Sequence, residues 1–413
     1  MKDKIFKWID DAVELAVDLE TGLTKIPAVS PESGGEGELD KFEYLERWLR
    51  SHGITNIERF DAPDSRAKGA VRPNLIATIE GLKDNARLWV LSHMDVVPPG
   101  EESLWESDPW TVIRKDDEKG ERLIGRGVED NQQGVVSSTL ASLAFVRQGL
   151  KPVRTVKLLF ASDEEVGSKY GIEWLVKNHK DLFHKDDMVL VPDGGDIKGE
   201  CIEIAEKNII WARFAVHGKQ AHGAQPDLGV NAMIAGSDLA VCLYNGLSSK
   251  FNKKDPMFDP DYSTFQPTKR EANVKNVNTI PGEDIFCMDM RILPCYKSSD
   301  VLAEIENIMR GIEKKYNVKI EYTLSQFMES KPTEASSVIV KRLEKAVSEI
   351  YNIKTKTIGI GGGTMAASLR NIGIDCAVWT KTDETMHQPN EYVLLKNIIG
   401  DAKVIALLMI NGE

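Results

Sequence analysis

Leu88-Trp89-Val90-Leu91-Ser92-His93-Met94-Asp95 is a short apolar run that closes on an imidazole and a carboxylate. Two later runs are built the same way. Thr155-Val-Lys-Leu-Leu-Phe-Ala-Ser162 leads into Asp163, Glu164 and Glu165, and Met188-Val-Leu-Val-Pro192 leads into Asp193. Runs of this length, bounded by polar residues, read as buried strands. Between the first two, residues 133–149 carry Val135, Val136, Leu140, Leu143, Ala144 and Val146 at helical spacing. Strands alternating with helices predict an α/β fold, a mostly parallel sheet with helices on both faces. Ligands of such sheets collect beyond the C-terminal strand ends. Three strands here release acidic or imidazole side chains at that edge.

Working outward, residues 4–20 place Ile5, Trp8, Ile9, Ala12, Leu15, Ala16 and Leu19 on one face of an opening helix. The texture changes near residue 208. Asn208 to Val216 reads as a strand, Ala232–Leu247 as a helix and Phe286–Ile292 as an alternating strand. Val301–Tyr316 follows as a helix and Val318–Leu324 as a strand. This succession predicts an inserted two-layer α+β lid or dimerisation domain over residues 208–330. It interrupts a catalytic domain made of residues 1–207 and 331–413. Pro256, Pro260 and Pro267 mark a long irregular excursion inside the insert.

Bulk properties exclude several classes. The chain has 413 residues and a formal net charge of −12, so it carries no electrostatic footprint for nucleic acid. No segment reaches the roughly 18 uncharged apolar residues of a membrane span. The N-terminal stretch has charges throughout, unlike a signal peptide. Cys201, Cys242, Cys287, Cys295 and Cys376 are scattered, with no CxxC pair. That argues for a reducing compartment and against a thiolate metal site, and predicts a cytoplasmic protein.

The chemistry lies in five short pieces. His93-Met-Asp95 offers an imidazole with a carboxylate close enough to orient its second nitrogen; most such triplets are only surface turns. Gly125-Arg-Gly-Val-Glu-Asp130-Asn lets the backbone turn sharply before a carboxylate; read alone, Asp130 could equally cap the following helix. Glu164 and Glu165 are adjacent at a strand end and point in different directions, so one could bind a cation while the other handles a proton. Asp193 sits in Val-Pro-Asp-Gly-Gly, and His387 in Thr-Asp-Glu-Thr-Met-His-Gln-Pro-Asn-Glu. Mixed imidazole and carboxylate donors suit zinc, cobalt or manganese.

The order and wording of His93-x-Asp95, Asp130, Glu164-Glu165, Asp193 and His387 resemble the M20 family of co-catalytic metallopeptidases and deacylases over nearly the whole chain. The resemblance implies two divalent ions. His93, Asp130 and Asp193 would hold one, and Asp130, Glu165 and His387 the other, with Asp130 as the bridge. A hydroxide between the ions would be the nucleophile, Glu164 the general base and Asp95 the orienting partner of His93. His222, in Gln-Ala-His-Gly-Ala-Gln-Pro-Asp, would hold the oxyanion, in many members from the partner subunit of a homodimer. Asn278, Arg291 and the glycine turn around Gly362 and Gly363 match positions that contact substrate, often a carboxylate; the turn, Asp289 or tight backbone geometry could also account for them. In the family, Asp at the position of Asp193 is commoner in aminopeptidases and dipeptidases, Glu in acylases. The resemblance therefore points to amide-bond cleavage in a short peptide, with N-acyl-amino-acid deacylation of the acetylornithine or succinyl-diaminopimelate type as the alternative. A catalytically silent binding protein on this fold would be expected to have lost a ligand or the base, and this chain keeps them all.

Overall fold

A computed structural model describes residues 1–411 of the chain; the last two residues of the expected catalytic segment lie outside them. The chain divides into two compact units. One comprises Met1–Ile204, Thr333–Ile358 and the segment from Thr364 onward; the other comprises Ala205–Pro332 with Gly359–Gly363.

The first unit is built on an eight-stranded sheet, in the order Ile57–Pro63, Val71–Ile79, Arg154–Ala161, Lys83–His93, Met188–Asp196, Cys376–Lys381, Cys201–Glu206 and Lys356–Ile360. The strands from Arg154–Ala161 through Cys376–Lys381 run parallel, while Ile57–Pro63, Val71–Ile79 and Cys201–Glu206 join antiparallel. This is the expected α/β sheet, its parallel part confined to the centre. Alternation sends Trp89, Leu91, Leu159, Val189, Val191 and Val378 to one face, against Ile172, Leu175, Met365 and Leu369 of two short helices. Burying each such side chain contributes about 1.5–3 kcal/mol.

Helix Gln132–Arg147 covers the other face and is itself packed against helix Leu395–Ile410, so it is buried on every side from Gln132 to Phe145. It starts and ends within two residues of the periodic pattern. The opening helix is not continuous. It breaks into Lys2–Asp10 and Val13–Thr24, because Ala12 leaves helical geometry at φ −95° and ψ 16°.

In the second unit, four antiparallel strands are ordered Thr264–Arg270, Glu283–Ile292, Asn208–His217 and Lys319–Met328. Helices Ala232–Lys250 and Ser298–Tyr316 pack on the face that carries Ile210, Ala212, Phe214, Val216, Phe286 and Met288. The proline-rich excursion is only partly irregular, since Thr264–Arg270 within it is a strand. Pro267 cannot donate to a ladder, but the strand is at the sheet edge and its register shifts between Pro267 and Lys269, where proline is tolerated.

Asp401 ties the first unit's sheet to its helical layer. Its carboxylate accepts from Thr380 Oγ1 (2.6 Å), Gln133 Nε2 (2.8 Å) and Tyr351 Oη (2.7 Å). Burial pushes its pKa up to about 6 despite these bonds. The folded state therefore holds a proton that the unfolded chain releases near pH 4, and this contribution to stability is lost as pH rises toward 6. We expect the unfolding free energy of wild type minus that of Asp401→Asn, measured in urea, to fall by roughly 3 kcal/mol between pH 4 and 6.5. A pH-independent difference would contradict the assignment.

Candidate metal centre

The central strands run parallel, so their C-terminal ends lie at one edge of the sheet. His93 is the last residue of its strand, and Asp193 lies within Met188–Asp196. Glu164 and Glu165 open the turn Glu164–Val166 that follows Arg154–Ala161, and His387 lies on the segment between Cys376–Lys381 and Tyr392–Leu394. Asp130 comes from the segment between Gly120–Ile124 and helix Gln132–Arg147. That segment turns at Gly127, at φ +86°, where a Cβ would lie 2.6 Å from Val96 Cγ1. Only glycine fits there.

Asp130 stands between the two histidines. Its Oδ1 is 2.9 Å from His93 Nε2 and its Oδ2 is 3.0 Å from His387 Nε2. His93 Nε2 also lies 3.4 Å from Asp193 Oδ1, and His387 Nε2 lies 3.1 Å from Glu165 Oε2. Within the described residues, two groups place one ligand atom each within 4.8 Å of the others: His93, Asp130 and Glu165, and His93, Glu164 and Asp193. Glu164 thus reaches the same neighbourhood as the other carboxylates. Glu165 Oε1 is buried without a hydrogen-bond partner.

The electrostatics report the crowding. Burial and the nearby Asp193 charge raise the Glu164 pKa well above the usual carboxylate value, and burial with the Asp130 charge pushes Glu165 up to about 7. Burial opposes ionisation of Asp130, but hydrogen bonds from His387 and His93 prevail and hold it below the usual range. Bonds to Asp130 and Glu165 push His387 up to about 10. Burial works against charge on His93, yet Asp193, Asp130 and Asp95 together raise it well above the ordinary imidazole value. Acids converging on imidazoles, with an orphaned carboxylate oxygen among them, form a donor set that a divalent cation fits.

Groups behind this set hold it in place. The Asp95 carbonyl lies 3.0 Å from His93 Nδ1 and its carboxylate 3.5 Å. A carbonyl only accepts, so Nδ1 donates to it, and this holds the ring with Nε2 facing Asp130. The Asp95 carboxylate has another task as well: it accepts the backbone N–H groups of Glu164 and Glu165, each at 3.0 Å. No local pattern in the sequence signals that second role. Nor does one single out Asn131, which donates to Asp193 Oδ1 at 2.7 Å and to Pro192 O at 2.6 Å. Glu391 was also missed. Fully buried, it accepts N–H groups of Gly127, Glu129 and Asp130 at 3.0 Å each and pairs with Arg126 at 2.6 Å. Asn131 directly follows Asp130, and Glu391 closes the segment around His387. Position in those segments was the available signal, but burial was not readable there.

The other expected site residues lie in the second unit. His222 is exposed on the two-residue strand Ala221–His222, which pairs with Thr279–Ile280 beside Asn278. Gly223 N donates to Asn278 O at 2.7 Å. Arg291 donates to Asp289 through Nε (2.7 Å) and Nη2 (2.9 Å), and to Gly361 O through Nη1 (2.9 Å). The fold therefore brings His222 to Asn278, and Arg291 to the turn containing Gly362 and Gly363. A Cβ at Gly363 would lie 2.2 Å from Met328 Cε.

The model for peptidase family M20/M25/M40 matches residues 89–411. An uncharacterised metallohydrolase of Methanocaldococcus jannaschii is 40% identical over 410 residues, covering 95% of this chain and 98% of that protein. A succinyl-diaminopimelate desuccinylase of Gluconobacter oxydans is 29% identical over 391 residues, 93% of each chain. Among solved structures, the di-peptidase Dug1p of Saccharomyces cerevisiae matches with a TM-score of 0.78 at 17% identity, over 99% of this chain and 98% of that one. That last likeness is one of fold.

Asp95→Ala removes the acceptor of the Glu164 and Glu165 amides. It is expected to weaken divalent-ion binding by about 10–100-fold, measured by zinc titration; unchanged affinity would show that the turn holds itself.

Proposed function

The chain belongs to peptidase family M20/M25/M40, and from that premise we propose that it hydrolyses the amide bond of short peptides at a dinuclear metal centre. The observation that carries this reading is Asp130, which offers one carboxylate oxygen to each histidine. His93, Asp130 and Asp193 would hold one divalent ion, and Asp130, Glu165 and His387 the other. The mixed nitrogen and oxygen donors favour zinc, with cobalt or manganese able to substitute. When bound, the pair supplies Lewis acidity, drawing the pKa of water from about 15.7 toward about 7 and polarising the carbonyl under attack.

Glu164 lies with His93 and Asp193, and in this reading it stays outside both ligand sets. Its carboxylate would accept a proton from the attacking water and pass it to the leaving amide nitrogen. Asp95, holding the Glu164 amide, would fix where that carboxylate stands. In the second unit, His222 would donate to the carbonyl oxygen as it gains charge. Arg291 keeps donors beyond those used by Asp289 and Gly361, and these would receive a substrate carboxylate next to Asn278 and the Gly362–Gly363 turn.

Asp rather than Glu at position 193 supports the peptidase reading. Deacylation of an N-acyl amino acid is the second reading, favoured by the relative named as a succinyl-diaminopimelate desuccinylase. A second copy of the chain would be the macromolecular partner. Met233, Ile234, Val241 and Tyr244 are exposed along helix Ala232–Lys250 and make a face able to bury against it. No helix among the described residues is long and apolar enough to cross a membrane, and all five cysteines are free. The free thiols support a reducing, cytoplasmic setting.

On a panel of dipeptides, tripeptides and N-acyl amino acids with added zinc, cobalt or manganese, we expect turnover of the peptides. Glu164→Gln should keep its metal and lose kcat by about 10²–10⁴-fold. Near-wild-type kcat in that variant would sink the base assignment, and turnover of N-acyl substrates alone would favour deacylation. Sedimentation should give a dimer; a monomer at micromolar concentration would rule out His222 acting across subunits.

A further inference from the structure

Two segments bring the shared ligand and the second histidine together, and they hold each other by exchanging carboxylates. Strand Gly120–Ile124 pairs with Tyr392–Leu394, so residues 125–131 run beside residues 383–391. Glu391 reaches from the second segment to the amides of Gly127, Glu129 and Asp130. Glu129 reaches the other way. Its buried carboxylate accepts the N–H of Asp383 and, at Oε2, the N–H (2.7 Å) and hydroxyl (2.5 Å) of Thr385.

The segment that Glu129 grips is the one that needs a grip. His387 has its backbone at φ +62°, a region that non-glycine residues occupy only when their surroundings impose it. Its side chain is 54% exposed, so packing of the ring does little to fix it. Asp130 is held otherwise: its own N–H binds Glu391 at 3.0 Å. His93 and Asp193 are secured by Asp95 and Asn131.

We propose that Glu129 is a positioning residue for one metal position only, the one completed by His387 and Glu165. The proposal rests on the dinuclear reading above. Deleting the Glu129 carboxylate leaves Asp383 held from Leu394 and Asn397, Thr385 from Tyr392, and the His387 carbonyl by the long 3.5 Å contact with Arg126. This loosens the approach to His387, while the supports of Asp130, His93 and Asp193 remain. The two ions should then separate in affinity.

The test is titration of Co(II) into metal-free protein, followed by calorimetry and visible absorption, for wild type, Glu129→Gln, Thr385→Val, His387→Ala and Asp193→Ala. Glu129→Gln is expected to weaken the binding step lost in His387→Ala by about 10–100-fold, and to leave the step lost in Asp193→Ala within about 2-fold. Thr385→Val keeps the Glu129 carboxylate and its bonds to the two backbone N–H groups, and removes only the hydroxyl, which bonds Glu129 and also the Tyr392 backbone, so it should shift the same step by less. Unchanged binding in both Glu129→Gln and Thr385→Val, or equal weakening of both steps, would overturn the proposal while leaving the dinuclear reading intact. A wild-type chain that takes up fewer than two ions would overturn the dinuclear reading and this proposal with it.

Discussion

Asp130 has to present one oxygen to His93 and the other to His387, and both distances are near 3 Å. A carboxylate does this only if its backbone approaches the sheet edge closely and in one orientation. Gly127 allows the approach, and Glu391 fixes the amides of Gly127, Glu129 and Asp130. The same requirement reaches into the sheet. His93 must end its strand, and helix Gln132–Arg147 must start directly after Asn131, so that both histidines meet the carboxylate.

Crowding carboxylates in a largely buried site is unfavourable without compensating charge. Desolvation and mutual repulsion push Glu164 and Glu165 toward their neutral forms, while the histidines are pulled toward their charged forms. Protons and divalent cations relieve the same repulsion, so they compete for these atoms. Such crowding would be a poor way to stabilise a fold, since paired buried charges contribute little net stability. It is intelligible as a site tuned for cations.

The supporting groups are shared between functions. Asp95 orients His93 through its carbonyl and holds the Glu164–Glu165 turn through its carboxylate. Arg72, fully buried, pairs with Glu38 and with Asp163 at 2.9 Å. Asp163 directly precedes Glu164 and itself sits at φ +71°. The turn carrying Glu164 and Glu165 thus follows a strained backbone position that a buried charge pair ties down.

The sequence determined the sheet and the identity of the converging residues. Apolar runs ending in His93, Glu164–Glu165 and Asp193 are local patterns, because strand burial depends on composition over a few residues. Their ending at one sheet edge follows from parallel βαβ connection. The sequence erred where position in the sheet overrides local chemistry. Pro267 reads as a breaker, yet it sits in an edge strand, and edge position is a property of the whole sheet. The periodicity of residues 4–20 hid the break at Ala12. Only the tertiary structure decided how the site is held. Glu391, Glu129 and Asn131 look like ordinary polar residues in loops until folding buries them against the backbone of residues distant in sequence. Hydrogen bonds of that kind, such as Glu391 to Asp130 N, have no period and no fixed spacing, so no local pattern can announce them.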